Sequence, residues 1–193
     1  MFLLARPDDD TIKQFLSACA GEDFSYREIG ATRALSPGGY NIDHNRIRVG
    51  KGEAVFERAR QAVRSWTMFD MPWVDLYPPE PPIAAGQTVA ILVKHFGFYS
   101  LNASRIVYLI DEPGDIKRFG FAYGTLRQHG EIGEERFSVE FHRDTGEVWY
   151  DLLAFSRPGH IAAKLGYPLS RYLQKAFADD SKRAMLRAAS SPS

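Results

Sequence analysis

Between Arg118 and Leu126 the chain reads Arg-Phe-Gly-Phe-Ala-Tyr-Gly-Thr-Leu, which puts Phe119, Phe121, Tyr123 and Thr125 on one parity and Gly120, Ala122 and Gly124 on the other. Side chains alternate across a strand with period two, so this segment can only be a strand with one heavy face and one bare face. The heavy face must line something bulky or hollow. The bare face lets a neighbouring element come close. What flanks it narrows the choice further. Pro78, Pro79, Pro81 and Pro82 bar a helix, and from there to Pro158 the chain falls into short apolar runs separated by turn residues. Strands are predicted over 88–94, 104–111, 118–126, 134–142 and 147–156. Glu112-Pro113-Gly114-Asp115 and Asp144-Thr145-Gly146 are hairpin chemistry, because Pro presets one turn dihedral and Gly accepts positive φ. The strands are therefore consecutive and antiparallel.

Helical spacing appears only outside this block. Ile12, Phe15, Leu16 and Cys19 predict a helix over 8–20 behind acidic residues suited to its start. A Gly, Ser and Pro-rich loop (30–39) leads into a strand over 40–49, broken by Gly50-Lys51-Gly52. Phe56, Ala59, Val63 and Trp66 share one face of a helix over 53–66. From 159 to about 189, Ala162, Leu165, Leu169, Tyr172 and Ala176 mark a long C-terminal helix, kinked near Gly166 and Pro168. A single twisted sheet needs its apolar face covered, and the last helix is the longest cover available. The predicted class is α+β: a curved antiparallel sheet gripping a long C-terminal helix, with an extra N-terminal helix. Between a strongly curved sheet and a helix, a cavity for an apolar ligand can remain.

At 193 residues the chain fits one domain, with 1–30 as a helical extension and 190–193 as a frayed tail. The formal net charge of zero argues against a nucleic-acid partner, which demands a basic surplus. One cysteine, Cys19, allows no disulfide framework and fits a reducing compartment; with acidic residues too early for a signal peptide and no apolar run long enough for a membrane span, a cytoplasmic location is expected. No nucleophile elbow, phosphate loop, dinucleotide fingerprint or zinc spacing is present, so neither cofactor nor metal is expected.

Four segments carry a resemblance: FGFAYGTL (119–126), HGEIGEERF (129–137), EVWYDLLAFSRP (147–158) and GYPLSRYLQKAFADDSKRAM (166–185). They resemble an uncharacterised bacterial and plant family known only as a domain of unknown function, grouped with the START-like (SRPBCC, helix-grip) superfamily of lipid carriers, polyketide cyclases and hormone receptors. The resemblance covers nearly the whole chain. It implies a fold and a cavity and supplies no catalytic residues.

Candidate site residues follow from the residues themselves. In the strand after Tyr40 both parities are polar, with His44, Arg46 and Arg48 on one and Asn41, Asp43 and Asn45 on the other. Either His44 and Arg46 point into the cavity and hold a polar ligand head, or this is an edge strand whose charges are solvated or paired, the reading that charge-guarded edges favour. Glu135 shares a parity with Phe137, Val139 and Phe141. If enclosed, its pKa should rise unless Arg46, Arg105 or another cation pairs with it, and a structural pair is the favoured reading. His129 reads as loop surface or cavity mouth, and His95 as a cavity entrance or the start of a loop, the loop being the favoured reading. The ligand-binding set is thus His44, Arg46, Phe121, Tyr123, Glu135, Phe137, Trp149 and Leu169. Three functions compete. The first is binding or carriage of a small hydrophobic molecule without chemistry. The second is a cyclase or hydrolase type of enzyme using Asp43, His44, Arg46 and Glu135. The third is an interaction module whose bare Gly120, Ala122, Gly124 face receives an N-terminal helix of its own or another subunit, with a homodimer left open.

Overall fold

The computed structural model describes residues 1–34, 37–159 and 167–190, the backbone alone for 167–170. These residues contain eight strands, β1 (Phe2–Leu3), β2 (Asn41–Lys51), β3 (Val74–Tyr77), β4 (Thr88–Lys94), β5 (Tyr99–Glu112), β6 (Ile116–Thr125), β7 (Glu131–His142) and β8 (Glu147–Pro158). Three helices accompany them, α1 (Asp9–Cys19), α2 (Glu53–Arg64) and α3 (Tyr167–Ser190). The strands form one antiparallel sheet in the order β2-β8-β7-β6-β5-β4-β3, with β1 pairing to the side of β5. Every hairpin from β3 to β8 joins spatial neighbours, as the turn chemistry required. Gly146 (φ +69°) and Gly114 (φ +144°) occupy the two hairpin corners that a side chain would strain. β1 and β3 were not anticipated. β3 is a four-residue edge run directly ahead of the prolines, too short for alternation to stand out.

The sheet bends around α2 and α3, helped by register breaks between Arg48 and Gly50 in β2 and between Ile106 and Tyr108 in β5. Its concave face carries Ile106, Phe119, Phe121, Phe137, Val139 and Tyr150 into one core with Phe56 and Val63 of α2 and Met185 of α3. The heavy face of β6 meets Trp66 and Phe69, which follow α2, as much as it meets the last helix: ring centroids lie 4.5 Å apart for Trp66 and Phe121 and 6.2 Å for Phe69 and Tyr123. Fully burying one such ring stabilises by about 2–3 kcal/mol, so this half is where the fold is secured. Across the sheet, α1 is capped by Asp8, which accepts from the Thr11 amide at 2.8 Å, and lays Ile12, Phe15 and Cys19 on Ala90, Leu92, Leu101 and Ala103. Burial pushes the Cys19 thiol up to about 11, leaving it a packing group.

The bare face of β6 is covered by this chain itself, by the segment after α1 rather than by the helix. A Cβ at Gly124 would sit 2.0 Å from the Tyr26 hydroxyl. Gly120 is bare for a different reason: a Cβ there would lie 2.1 Å from the Phe137 carbonyl oxygen of the adjoining strand. The first glycine admits a strap, the second a tight bend between β6 and β7.

α3 is pinned along its length. Tyr150 and Ser181 hydroxyls meet at 2.7 Å, Trp73 donates to Asp180 at 2.9 Å, and Arg58 donates to the Ala189 carbonyl at 2.9 Å. Pro168 sits in its first turn, where a missing amide costs nothing. Ala162, Leu165 and Gly166 lie outside the described residues, as do 191–193 of the expected tail. No described helix is long and apolar enough to cross a membrane.

Candidate functional site: a cavity under the last helix

Opposite residues 171–178 of α3 the concave face does not fill, leaving a cavity of about 960 Å³. Ligand pockets commonly span a few hundred to a thousand cubic ångströms, so a molecule of substantial size fits. Its apolar wall is built by Phe69, Trp73, Ile91, Val93, Leu152 and Phe177. Three lining residues, Phe2, Ile42 and Tyr172, are 65%, 52% and 61% exposed and mark where it opens to solvent.

Two polar groups interrupt the wall. The first lies on β6, β7, β2 and α3. Tyr123 and Glu135 are direct cross-strand partners, and the Tyr123 hydroxyl donates to Glu135 Oε2 at 2.7 Å. Glu135 has some exposed surface, but it faces the cavity rather than the outer solvent. Burial, with a smaller push from Asp43, raises its pKa to about 7 despite the Tyr123 bond, and the Tyr123 hydroxyl is itself held well above its usual value. Beside it, Arg171 grips Asp43 with both terminal nitrogens, Nη2 to Oδ1 at 2.7 Å and Nη1 to Oδ2, and Nη1 also reaches Gln174 at 2.7 Å. Gln174 in turn donates to Ser156 at 3.1 Å. This clasp ties the start of α3 to an edge strand.

The second group gathers around the β4–β5 and β6–β7 connections. His95 Nε2 and Ser100 Oγ are 2.7 Å apart, and Asn102 donates to the same hydroxyl at 3.1 Å. His129 Nδ1 faces the Glu131 backbone, 2.9 Å from its amide nitrogen and 3.0 Å from its carbonyl oxygen. Burial pushes His129 down to about 4 and lowers His95 as well, making both rings neutral hydrogen-bonding groups at ordinary pH. His95 does begin a loop as expected, and that loop is part of the cavity lining.

The candidates divide. Tyr123, Glu135 and Asp43 line the cavity. Arg46 is not part of the lining, whereas His44 borders the cavity at its rim beside Ile42 but turns its ring outward, away from Glu135. His44 Nε2 meets Asp151 at 2.7 Å with its side chain 52% exposed, and Arg46 donates to Glu140 at 2.5 Å. β2 is an edge strand, and its outward charges are paired as edge-guarding predicts. Trp149 shares that outer face, under the Arg46 guanidinium at 4.8 Å, because Val148, Tyr150 and Leu152 are the residues of β8 that turn inward. Phe121 and Phe137 are wholly buried in the filled aromatic half. The side chain of Leu169 lies outside the described residues. The ion pair expected for Glu135 is replaced by the Tyr123 hydroxyl. Arg46 is on the other face, and Arg105 caps α1 through the carbonyls of Cys19, Ala20 and Glu22.

The most buried charge network is structural. Glu134, 2% exposed, accepts from the Tyr26 hydroxyl and the Gly30 amide, each at 2.7 Å, and from the Thr32 amide at 3.0 Å. Arg136 links the Thr32 carbonyl to Asp151, each at 2.8 Å. This network fastens the strap over the bare face of β6. Arg171, Phe69, Trp73 and Phe177 were missed as lining residues, since nothing in their local pattern separates them from core or surface positions. Among the described residues no group of side chains could hold a metal ion.

A UPF0548 protein of Dictyostelium discoideum is 40% identical over 210 residues, covering 99% of this chain and 97% of the relative. A UPF0548 protein of Deinococcus radiodurans is 39% identical over 203 residues, covering 98% and 99%. The first of these carries the family beyond the bacteria and plants expected of it. Among solved structures, human STARD10 is similar with a TM-score of 0.46 at 10% identity, over 96% of this chain and 80% of that one. Residues 25–184 match the model of one family across most of the sequence, and the chain therefore belongs to the family described as a domain of unknown function (DUF1990).

Proposed function

We propose that this protein binds a small, mainly apolar molecule with a polar group in the cavity between the concave sheet face and α3. The observation that carries the reading is the cavity itself: about 960 Å³ left unfilled beside a densely packed aromatic core, walled by Phe69, Trp73, Ile91 and Phe177 and furnished with a few convergent polar groups. An interior that needed only stability would close such a space, because voids cost van der Waals contacts. The test is native mass spectrometry of protein from its own host, with a thermal-shift panel of fatty acids, sterols and polyketides. Ala154, on the cavity lining, offers a blocking variant. Ala154→Phe should abolish the ligand-dependent shift while the protein stays folded. Absence of any ligand shift in the wild type, or an undiminished shift in Ala154→Phe, would sink the proposal.

A second reading, acid–base chemistry on the bound molecule, is supported by Glu135, a cavity-facing carboxyl titrating near neutrality. The four-residue set expected for it does not converge, since His44 and Arg46 are on the outer face and Asp43 is held by Arg171. Under this reading a co-purified ligand incubated with the wild type but not with Glu135→Gln should change mass or isomeric form. An unchanged ligand in both leaves binding alone.

A further inference from the structure

We propose that the molecule taken by this cavity carries a basic nitrogen, held as an ammonium against Glu135 with its apolar part along the rings of Phe69, Trp73, Tyr123 and Phe177. The inference deepens the binding reading above and rests on it. Its starting point is a cavity-facing carboxyl with no ion-pair partner among the described residues. Around Glu135, β6 contributes the Tyr123 hydroxyl, β2 contributes Asp43, β8 contributes the Tyr150 phenol and α3 contributes Arg171. Arg171 is committed to Asp43 and Gln174, so those two charges cancel each other. Among the described residues, Glu135 is left as a carboxyl hydrogen-bonded by Tyr123 alone, and no described cation is paired with it. A carboxylate withdrawn from water must be protonated or be met by a positive charge. Protonation satisfies the carboxyl by itself, and a cationic ligand would supply the second course.

The wall next to it has the matching chemistry. Phe69 and Phe177 lie 5.2 Å apart edge to face, Trp73 and Phe177 6.4 Å apart, and Phe69 and Tyr123 6.2 Å apart, so the rings run continuously from the solvent side to the Glu135 hydrogen bond. Aromatic faces attract ammonium groups, and more strongly where water is excluded. A ligand carboxylate would instead bring a third anion beside Asp43 and Glu135. An alcohol would gain a hydrogen bond and no charge.

The test uses three probes with one apolar body, phenylbutylamine, phenylbutanol and phenylbutyrate, titrated calorimetrically into the full chain and into Glu135→Gln. In the wild type at about pH 8 the amine should bind at least about tenfold tighter than the alcohol, and the butyrate weakest. The amine's advantage should shrink at about pH 6, where the carboxyl holds its proton while the amine remains charged. Near pH 7, buffers of differing ionisation enthalpy should report release of about half a proton per amine bound. Glu135→Gln should bind amine and alcohol alike. An amine no tighter than the alcohol, or an advantage that survives in Glu135→Gln or does not grow with pH in the wild type, would overturn the ammonium and leave the apolar cavity standing. Failure of all three probes would overturn both. The pH arm reads the wild type alone, so the outcome does not depend on the variant folding.

Discussion

Two half-buried titratable residues on the cavity lining work against each other. Glu135 keeps its proton up to about pH 7 in the folded chain, against an ordinary value of 4.5. Over that window the folded state binds the proton and the unfolded state does not, so stability contributed below 4.5 is lost as pH rises through 7, by about 3 kcal/mol. His129 is displaced oppositely, from 6.5 to about 4, so its contribution is present above 6.5 and lost as pH falls toward 4, again by about 3 kcal/mol. Between roughly pH 4.5 and 6.5 the two slopes cancel in the wild type. Glu135→Gln should therefore lose stability on acidification through this window, and His129→Asn, which keeps an acceptor for the Glu131 amide, should gain it. Urea midpoints measured across the window check both, and parallel profiles for the two variants would contradict the assignment. The His129 displacement was not legible in the sequence, and the rise at Glu135 was legible only on the condition that no cation met it. The parity of Glu135 showed that it faces inward, but whether it meets a cation or a hydroxyl depends on which way β2 presents its charges, and an edge strand with polar residues on both parities leaves that undecided.

At the scale of elements, alternation and turn chemistry were enough to give the order of β4 to β8 and both helices before them. Period-two and helical patterns arise from local geometry that each strand or helix satisfies by itself. β3 and the covering of β6 were not legible, because a four-residue edge and an irregular strap have no period. The two glycines of β6 test the difference. Gly124→Ala should cost about 2 kcal/mol by driving the Tyr26 hydroxyl from its seat. Tyr26→Phe should cost about 1–3 kcal/mol by removing a donor from buried Glu134. The double variant should fall short of the sum, since both act on one contact. Gly120→Ala presses on the backbone of β7 instead, so its cost should add to that of Tyr26→Phe without coupling. A double-mutant cycle in urea gives the answer, and coupling at Gly120 equal to that at Gly124 would contradict the two distinct roles.

For the whole molecule, the clasp between Asp43 and Arg171 is the polar tie between the start of α3 and the free edge of the sheet. Both side chains are about a third exposed, so the pair contributes on the order of 1 kcal/mol and its loss should not unfold the chain. Asp43→Asn should instead raise amide exchange over residues 171–178 and speed both uptake and release of a bound ligand, with β6 and β7 unchanged. Hydrogen exchange by mass spectrometry would show it, and uniform exchange changes across the sheet would argue against a local clasp. The concave face also divides the labour of the molecule. The rings that secure the fold gather at the end covered by α2, while the cavity occupies the end under α3, sharing with them Phe69, Trp73, Tyr123, Phe177 and a few aliphatic residues. A chain arranged in this way can change the lining of its cavity without gambling on whether it folds. Diversification among members of such a family is cheap at Ile42, Asn102, Ala154 and Leu173, and expensive at Trp66, Phe121 and Phe137.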